Sequence, residues 1–331
     1  MTETVLVTGG TGFIGGWCIR LLLERGYRVQ TTIRNPSKEA AVRKAVTPGA
    51  NGDLTFHIAD LTADDGWDDA MAGCDYVLHV ASPLGDVGST DPDMFVGPAL
   101  EGTLRVLRAA TKAGVKRVVM TSAAAAARVS KTENRISDET VWADANDKRF
   151  DPYRRSKILA ERAAWDFMAD KSTEFTTILP GAVFGPVLAQ EGLGSVQLIN
   201  GLLHGKPPAL PRLGLWIVDV RDLADLHIRA MIAPEASGQR FIAAGDFMWM
   251  IDVANTLRSG LGERGRAVPN RQLPNVIVRA LAPFMPQLRM LVSELGRRND
   301  LTSQKARRML GFAPRPAAET LIACAESLLL Q

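Results

Sequence analysis

Near its start the chain carries the run Val5-Leu6-Val7-Thr8-Gly9-Gly10-Thr11-Gly12-Phe13-Ile14-Gly15, which constrains the fold more than any other feature. The apolar residues before the glycines predict a buried β-strand, and periodic apolar residues at 13–23 predict a helix directly after the turn. Glycines at positions 9, 12 and 15 permit a sharp turn and close approach of the backbone to a pyrophosphate at the helix N-terminus. This pattern predicts a dinucleotide site; the alternative is a strand-to-helix turn whose glycines serve packing alone.

The residue after the second predicted strand, at 27–33, discriminates between the two nicotinamide dinucleotides. An NAD site usually carries Asp or Glu there, whereas this chain has Arg34, followed by Asn35-Pro36-Ser37-Lys38. A guanidinium suits a 2′-phosphate because it is planar, permanently charged and able to donate two parallel hydrogen bonds. The sequence therefore favours NADP(H), with Arg34 and Lys38 as phosphate contacts. The alternative for Lys38 is a solvated residue in the first turn of a helix.

Alternating strand and helix patterns over the first 185 residues predict an α/β Rossmann fold with a doubly wound parallel sheet. The later predicted elements are strands at 54–58, 76–80, 117–121 and 175–179 and helices at 99–113 and 153–168. Beyond Pro186 the chain changes to Gly/Pro-rich connections and shorter helices. We therefore expect an NADP-binding domain at 1–185, to which 216–244 returns with a helix at 222–232, and a smaller C-terminal substrate-binding lobe at 186–215 and 245–331.

Composition argues against several other classes of protein. The 331 residues can bury a large core, and a net charge of +3 without any basic block gives no reason to expect a nucleic-acid partner. Three widely separated cysteines, Cys18, Cys74 and Cys324, predict reduced, mostly buried thiols of a cytoplasmic protein. No spacing suits a metal, no apolar run approaches the roughly 18 residues of a membrane span, and no signal peptide precedes the first strand.

Acid–base chemistry is indicated by the run Tyr153-Arg154-Arg155-Ser156-Lys157. Residues four apart lie on one face of a helix, so we expect the Lys157 ammonium beside the Tyr153 phenol. A neighbouring positive charge favours tyrosinate and would lower the pKa of the phenol from about 10 towards the working pH. The pair therefore predicts a general acid or base; the alternative is a surface aromatic ring covered by a cation.

Together, Thr8-Gly9-x-x-Gly12-x-x-Gly15 and Tyr153-x-x-x-Lys157 resemble the extended short-chain dehydrogenase/reductases, also called the NAD-dependent epimerase/dehydratase family. Further motifs resemble its dihydroflavonol 4-reductase, cinnamoyl-CoA reductase and aldehyde reductase branch. These motifs are Arg34, His79-Val80-Ala81-Ser82-Pro83, Asp138-Glu139-x-x-Trp142, Leu179-Pro180-Gly181-Ala182-Val183-Phe184-Gly185-Pro186, Val218-Asp219-Val220-Arg221-Asp222 and Ser303-Gln304-Lys305-Ala306-Arg307-Arg308-x-Leu310-Gly311-Phe312.

This resemblance implies hydride transfer between a nicotinamide and a carbonyl carbon. It implies that Tyr153 donates the proton to the developing alkoxide and that Lys157 also holds the nicotinamide ribose. The other cofactor contacts that it implies are Gly12, Phe13 and Ile14 at the pyrophosphate, Asp60 and Leu61 at the adenine, Val80, Ala81 and Ser82 along the cofactor, and Pro180 and Val183 at the carboxamide. Gly9, Gly15 and Thr121 complete the predicted set.

One position departs from the pattern of this family. The family's fifth strand normally ends in a Thr-Ser-Ser type sequence whose last Ser hydrogen-bonds the substrate carbonyl, but here Ala123 stands at that place. Loss of such a donor costs on the order of 10²–10³ in rate if nothing replaces it. Ser122, the nearest hydroxyl, is the predicted third catalytic residue, unless it bonds only to backbone. Thr121, a substrate group or a water could replace the donor instead, or the chain is a weak catalyst.

The sequence therefore predicts an NADPH-dependent carbonyl reductase that converts an aldehyde or ketone reversibly to an alcohol. An apolar, proline-punctuated segment at 273–286 favours a hydrophobic substrate, aromatic or aliphatic, although the same segment fits a core between two short helices. One alternative is a nucleotide-sugar epimerase or dehydratase, against which Arg34 counts. Another is a non-catalytic NADP-sensing protein, which Ala123 favours and the Tyr153–Lys157 pair opposes.

The oligomeric state stays open between monomer and homodimer. The predicted helices at 99–113 and 153–168 could pair with those of a second subunit, as in many relatives. Reductases of this branch are also known as monomers, and the outward faces of these helices do not favour one state.

Overall fold

The computed structural model describes residues 2–47, 53–82, 95–130, 135–147, 149–189 and 194–330. Within these residues the strands, in chain order, are β1 (Thr4–Val7), β2 (Arg28–Ile33), β3 (Leu54–Ile58), β4 (Tyr76–His79), β5 (Arg117–Thr121), β6 (Glu174–Pro180), β7 (Ala182–Phe184), β8 (Leu210–Pro211), β9 (Gly214–Asp219), β10 (Gln239–Ala243), β11 (Phe247–Trp249) and β12 (Gln272–Leu273). The helices are α1 (Phe13–Glu24), α2 (Glu39–Val46), α3 (Trp67–Met71), α4 (Val96–Lys112), α5 (Pro152–Met168), α6 (Val196–Leu203), α7 (Val220–Ile232), α8 (Met250–Leu261), α9 (Asn275–Leu281), α10 (Pro286–Val292), α11 (Gln304–Leu310) and α12 (Ala317–Leu329).

Seven parallel strands form the central sheet, in the order β10-β6-β5-β4-β1-β2-β3. Helices cover both of its faces, so the middle strands β1, β4 and β5 are buried at almost every position. Within β1, Val5 and Val7 join a core that includes residues of α1 and α7, whereas Leu6 joins the core formed with α3, α4 and α5. This alternation follows from the two-residue period of a strand. The doubly wound α/β fold predicted from the sequence is thus the observed one.

The part of the chain after β6 returns to the central sheet in a different way from the expected one. Helix α7 packs against α1, and β10 pairs with β6 as the edge strand of the sheet. Strand β9, however, lies in a separate three-stranded sheet of order β11-β9-β7. A further two-stranded sheet pairs β12 with β8. The division into an NADP-binding domain and a substrate-binding lobe stays a prediction.

The apolar segment at 273–286 begins at the last residue of β12, forms α9 and ends at the first residue of α10. Its apolar side chains divide between inside and outside: Val278 is fully buried, whereas Val276 is 71% exposed and Phe284 is 83% exposed. Neither a core position nor a pocket wall therefore describes the whole segment. The three cysteines are free and buried, which agrees with the sequence prediction.

Candidate functional site

The glycine-rich turn joins β1 to α1 at the carboxyl edge of the sheet. Gly9 has φ +74°, a left-handed conformation that side chains rarely adopt, and a Cβ on Gly15 would lie 2.4 Å from the carbonyl oxygen of Gly9. Gly12 is the N-cap of α1 and supplies no side-chain cap, and the first turn of α1 holds no acidic residue. The amide groups of Phe13 and Ile14 and the positive end of the helix dipole are therefore available to an anion. This cradle fits the pyrophosphate of a dinucleotide.

A buried polar chain connects this turn to the end of β4. The hydroxyl of Thr8 lies 3.0 Å from His79 Nδ1 and accepts hydrogen bonds from the amides of Val80 and Ala81 at 3.1 and 3.0 Å. Burial, with a further contribution from the charge of Lys157, lowers the pKa of His79 to about 3. A neutral His79 whose Nδ1 is held by Thr8 fits packing rather than proton transfer.

The predicted cofactor contacts after β4 follow this turn along the sheet edge. A Cβ on Gly9 would lie 3.1 Å from Ala81, so the two segments are in contact. Ser82 is the last described residue of this segment, and Pro83 of the motif lies outside the described residues.

The ends of β2 and β3 carry the residues predicted at the adenosine side. Arg34 is exposed and follows β2 directly. Burial acts to raise the pKa of Asp60, but hydrogen bonds from Thr62 and the charges of Arg34 and Arg105 lower it overall, which places Arg34 within electrostatic reach of this carboxylate. Leu61 packs against α4, where a Cβ on Gly102 would lie 2.8 Å from the Leu61 Cβ.

Lys38 lies at the end of a short 3₁₀ helix that follows Arg34. This helix spans Pro36–Lys38, and Asn35 caps its start by accepting a hydrogen bond from the Ser37 amide at 2.9 Å. Arg34 and Lys38 therefore lie on the same short connection that follows β2.

Tyr153 and Lys157 lie on the first turns of α5, whose N-terminus is fixed by Asp151. The Asp151 side chain accepts a hydrogen bond from the Arg154 amide at 2.8 Å, and Pro152 occupies the first helical position. Lys157 is 5% exposed, and its Nζ donates to the carbonyl oxygen of Thr121, the last residue of β5, at 3.2 Å. The predicted pair is therefore anchored to the carboxyl edge of the sheet.

The pKa expectation for Tyr153 is wrong in direction for the protein alone. Burial, followed by the charge of Asp151, raises the pKa of Tyr153 to about 12, against a smaller opposing effect of Arg154. Burial likewise lowers the pKa of Lys157 to about 8, opposed by the charge of Glu161. Desolvation dominates both shifts because the low-dielectric surroundings disfavour both charged forms, and Lys157 is not among the groups that shift the pKa of Tyr153. The phenol is therefore protonated at neutral pH, which suits a proton donor.

The Thr121 hydroxyl is hydrogen-bonded to a histidine of α7. It lies 2.7 Å from His227 Nε2, while His227 Nδ1 lies 2.8 Å from the carbonyl oxygen of Leu223. Because a carbonyl only accepts, His227 carries its proton on Nδ1 and Thr121 donates to Nε2. Burial lowers the pKa of His227 to about 4, so the ring stays neutral. Thr121 thus offers its carbonyl to Lys157 and commits its hydroxyl elsewhere.

Ser122, the predicted third catalytic residue, points its hydroxyl away from Tyr153. Its Oγ donates to Glu161 Oε2 at 2.6 Å. Glu161 follows Tyr153 by two helical turns, a rise of about 12 Å at 1.5 Å per residue. The structure therefore places the Ser122 hydroxyl at the buried carboxylate of Glu161 rather than at the Tyr153 phenol. This geometry conflicts with the expectation that Ser122 replaces the missing donor. Ala123 itself is partly exposed and begins the 3₁₀ turn at Ala124–Ala127.

The residues predicted at the carboxamide lie where β6 passes into β7. Pro180 ends β6, and Val183 lies in β7. Between them, a Cβ on Gly181 would lie 2.3 Å from the carbonyl oxygen of Trp216, so β9 passes directly against this connection. The Ser122 amide donates to the Ile178 carbonyl at 2.8 Å, which holds the ends of β5 and β6 side by side.

Two buried residues of the site were missed in the sequence analysis. Glu161 and Arg240 form an ion pair with a 2.9 Å contact between Arg240 Nε and Glu161 Oε1. The position of Glu161, four residues after Lys157 on a predicted helix, is a signal that could have drawn attention to it. Arg240 is 79 residues away in sequence, and no local pattern indicates their contact.

The chain belongs to the NAD dependent epimerase/dehydratase family, to which its residues 5–244 match. Dihydroflavonol 4-reductase of Arabidopsis thaliana is 41% identical over 266 residues, which cover 77% of this chain and 69% of that protein. Cinnamoyl-CoA reductase 1 of Petunia hybrida is 37% identical over 261 residues, covering 77% and 76% respectively. The family resemblance expected from the motifs is confirmed.

A solved structure extends this similarity to nearly the whole chain. Yeast methylglyoxal/isovaleraldehyde reductase Gre2 complexed with NADPH superposes with a TM-score of 0.82 at 27% identity, over 99% of this chain and 98% of that one. Among the described residues, no helix is long and apolar enough to cross a membrane. The same part of the chain holds no group of three or more His, Cys, Asp and Glu side chains able to ligate a metal ion.

Proposed function

We propose that this protein is an NADPH-dependent carbonyl reductase that reduces an aldehyde or ketone to an alcohol, with Tyr153 as general acid and Lys157 as its partner. The observation that carries the proposal is the placement of Lys157. Its Nζ contacts the end of β5, and the Thr8–His79 contact links the neighbouring strand end to the glycine-rich turn. A dinucleotide bound at that turn would extend along the carboxyl edge of the sheet, where ligands of such folds bind.

NADP(H) is the cofactor that the residues at the adenosine side support. Arg34 follows β2 where an NAD site usually has a carboxylate, and Lys38 follows on the same connection. The yeast reductase of similar structure was solved with NADPH. The partners are then this dinucleotide and a small carbonyl or alcohol substrate. The free, buried thiols support the cytoplasmic location expected from the sequence.

The protein's own groups would supply the proton and the charge for the reaction. When bound, the nicotinamide supplies the hydride. Tyr153, whose pKa burial raises to about 12, keeps its proton at neutral pH and can donate it to an alkoxide. Lys157 holds a positive charge at the end of β5, from which it would stabilise the phenolate left behind and bind ribose hydroxyls. Burial lowers the pKa of Lys157 to about 8, so the ammonium form exists below that pH.

The surroundings of Ala123 favour one second candidate, a non-catalytic NADP-sensing protein. Ser122 donates to Glu161 and Thr121 bonds to His227, so neither hydroxyl replaces a Ser at position 123. A reductase of this kind would rely on a water or on a group of its substrate for the second hydrogen bond. A sensor would bind NADPH without turnover.

NADPH consumption over a panel of aromatic and aliphatic aldehydes and ketones distinguishes these functions. We expect turnover that needs NADPH rather than NADH and that Tyr153→Phe lowers by about 10²–10⁴-fold, with NADPH binding retained. Turnover unaffected by Tyr153→Phe would refute the assigned chemistry. Tight NADPH binding by the unaltered protein, with no turnover across the panel, would favour the sensor.

A further inference from the structure

A cluster of hydrogen-bonding groups surrounds the carboxylate of Glu161, one helical turn after Lys157. Glu161 is fully buried, and its two oxygens accept hydrogen bonds from Ser122 Oγ at 2.6 Å, Thr177 Oγ1 at 2.8 Å and Arg240 Nε at 2.9 Å. A buried carboxylate is costly unless it is paired and hydrogen-bonded, and here both conditions are met. The cluster is therefore a fully bonded network that fixes the geometry of whatever it contacts.

Through this cluster, helix α5 holds the end of β5 at two successive residues. Lys157 donates to the carbonyl of Thr121 at 3.2 Å, and one turn later Glu161 accepts from the hydroxyl of Ser122. The two contacts fix both the distance and the rotation of the helix relative to the strand. A change at Glu161 is therefore transmitted to Lys157 through the helix and through β5.

Arg240 extends the same network to the segment before α5. Its Nη1 donates to the carbonyls of Glu139 and Val141 at 2.9 and 2.7 Å, and its guanidinium lies 3.7 Å from the centre of the Trp142 ring. Its Nη2 donates to the carbonyl of Ala126 at 3.2 Å, in the turn that follows Ala123. The Glu139-x-x-Trp142 motif thus serves to hold the counter-ion of Glu161.

Among the described residues, Glu161 is the anion whose charge raises the pKa of Lys157. On α5 the groups that face Lys157 are Tyr153, which is protonated, and Glu161. His79 faces it from β4 and His227 lies behind Thr121, and burial lowers the pKa values of these two rings to about 3 and about 4, so both are neutral. Arg240, from β10, is paired with Glu161.

We propose that Glu161 is a positioning residue for the reaction: held by Arg240, it fixes the end of β5 against the helix of Tyr153 and keeps the Lys157 ammonium charged. This rests on the proposed function, since it assigns a consequence for turnover. Glu161 does not touch the reacting atoms. Its effect is exerted through Lys157 and Ser122.

The test compares Glu161→Gln with a matched control, Glu174→Gln. Glu174 also forms an ion pair next to β5, with Arg117, but at the opposite end of that strand. The titration midpoint of Lys157 is measured by NMR of ¹³C-labelled lysine in the protein without nucleotide, and its signal is assigned by its absence in Lys157→Met. We expect Glu161→Gln to lower the midpoint by about 1 pH unit or more, because an opposite charge has been removed. Glu174→Gln should leave it unchanged.

Kinetics provide the second measurement. In Glu161→Gln the alkaline limb of the kcat profile should move to lower pH by the same amount, so that kcat at pH 8 falls about fivefold for a one-unit shift. The KM for the carbonyl substrate should stay unchanged. If circular dichroism shows that Glu161→Gln does not fold, Glu161→Asp is used instead. Its shorter side chain withdraws the carboxylate, so it should also lower the Lys157 midpoint and kcat, but by less than Glu161→Gln.

An unaltered Lys157 midpoint and an unaltered pH profile in the folded variant would overturn the proposal, because a purely structural role predicts reduced stability alone. The NMR measurement needs neither cofactor nor turnover. A protein without any NADPH turnover would therefore refute the proposed function, while the Lys157 midpoints would still decide the role of Glu161.

Discussion

The nucleotide end and the reaction end of the candidate site depend on different kinds of chemical groups. At the nucleotide end the groups that matter are backbone amides and glycines: Gly15 has no room for a Cβ, and Gly12 leaves the N-terminus of α1 without a side-chain cap. At the reaction end they are buried side chains whose pKa values are shifted mainly by burial, with Lys157 and Glu161 on successive turns of α5. The first end should be sensitive to added atoms, and the second to added or removed charge and hydrogen bonds.

The largest effect is expected from restoring a hydroxyl at the reaction end. Ala123→Ser places a donor where the family resemblance implies one, and a single donor of this type is worth on the order of 10²–10³ in rate. We expect kcat for NADPH-dependent reduction to rise towards this range with unchanged NADPH affinity, measured by steady-state kinetics and fluorescence titration. Ala124→Ser, one residue later, is the control and should have no such effect. An Ala123→Ser protein with unaltered kcat would show that the donor is already supplied from elsewhere.

Arg34 tests the nucleotide end through charge. Arg34→Gln removes the guanidinium expected at the 2′-phosphate, and hydrogen bonds to charged groups contribute about 1.5–3 kcal/mol. We expect NADPH affinity to fall by roughly 10–100-fold while NADH affinity changes little, measured by titration of both dinucleotides. Equal losses for the two cofactors would remove Arg34 from the phosphate site.

Gly15 tests the same end through added volume. A Cβ on Gly15 would lie 2.4 Å from the Gly9 carbonyl, whereas a Cβ on Gly16 meets nothing closer than 3.7 Å. Overpacking typically costs about 1–3 kcal/mol, so Gly15→Ala should weaken NADPH binding or lower the melting temperature. Gly16→Ala is the matched control and should preserve binding and stabilise the helix by about 0.5–1 kcal/mol. Identical behaviour of the two variants would contradict the close contact at Gly15.

The smallest effect, at the reaction end, is a pH dependence. Burial lowers the pKa of Lys157 to about 8, and the proposed chemistry uses the ammonium form. Deprotonation above that value removes the useful charge, so kcat/KM for reduction should be level below pH 8 and fall about tenfold per unit well above it. Arg34→Gln, at the other end, should keep the same midpoint. A rate that stays level to pH 10 would separate turnover from the charge of Lys157.

The nucleotide end could be predicted from sequence because its geometry is local. The glycine turn, its flanking strand and helix, and Arg34 all lie within one short stretch, and the predicted elements of the first 180 residues match the observed ones within a few residues. The reaction end could be predicted only in part. Tyr153 and Lys157 share a helix, but the Thr121–His227 bond spans 106 residues and the Ser122–Glu161 bond spans 39.

The pKa of Tyr153 is a further case that sequence could not supply. Helical spacing indicates the neighbouring Lys157, but burial dominates the shift, and burial depends on the packing of the whole chain. The destination of the Ser122 hydroxyl was unpredictable for the same reason, because its acceptor is defined by Arg240, Thr177 and a strand order that no local pattern contains.

Arg117, at the start of β5, has a consequence for how this chain can be made or divided. Its buried guanidinium pairs with Glu174 and donates to the carbonyls of Ala230, Met231 and Ala233, residues that are synthesised more than a hundred positions later. A fragment that ends at residue 185 would lack the three carbonyls that accept from Arg117 Nη1, so the guanidinium would be exposed to solvent, and the edge of β6 would lose its partner β10. The nucleotide-binding sheet therefore becomes complete on the ribosome only after α7 and β10 have emerged, and a split version of this protein should be cut after β10.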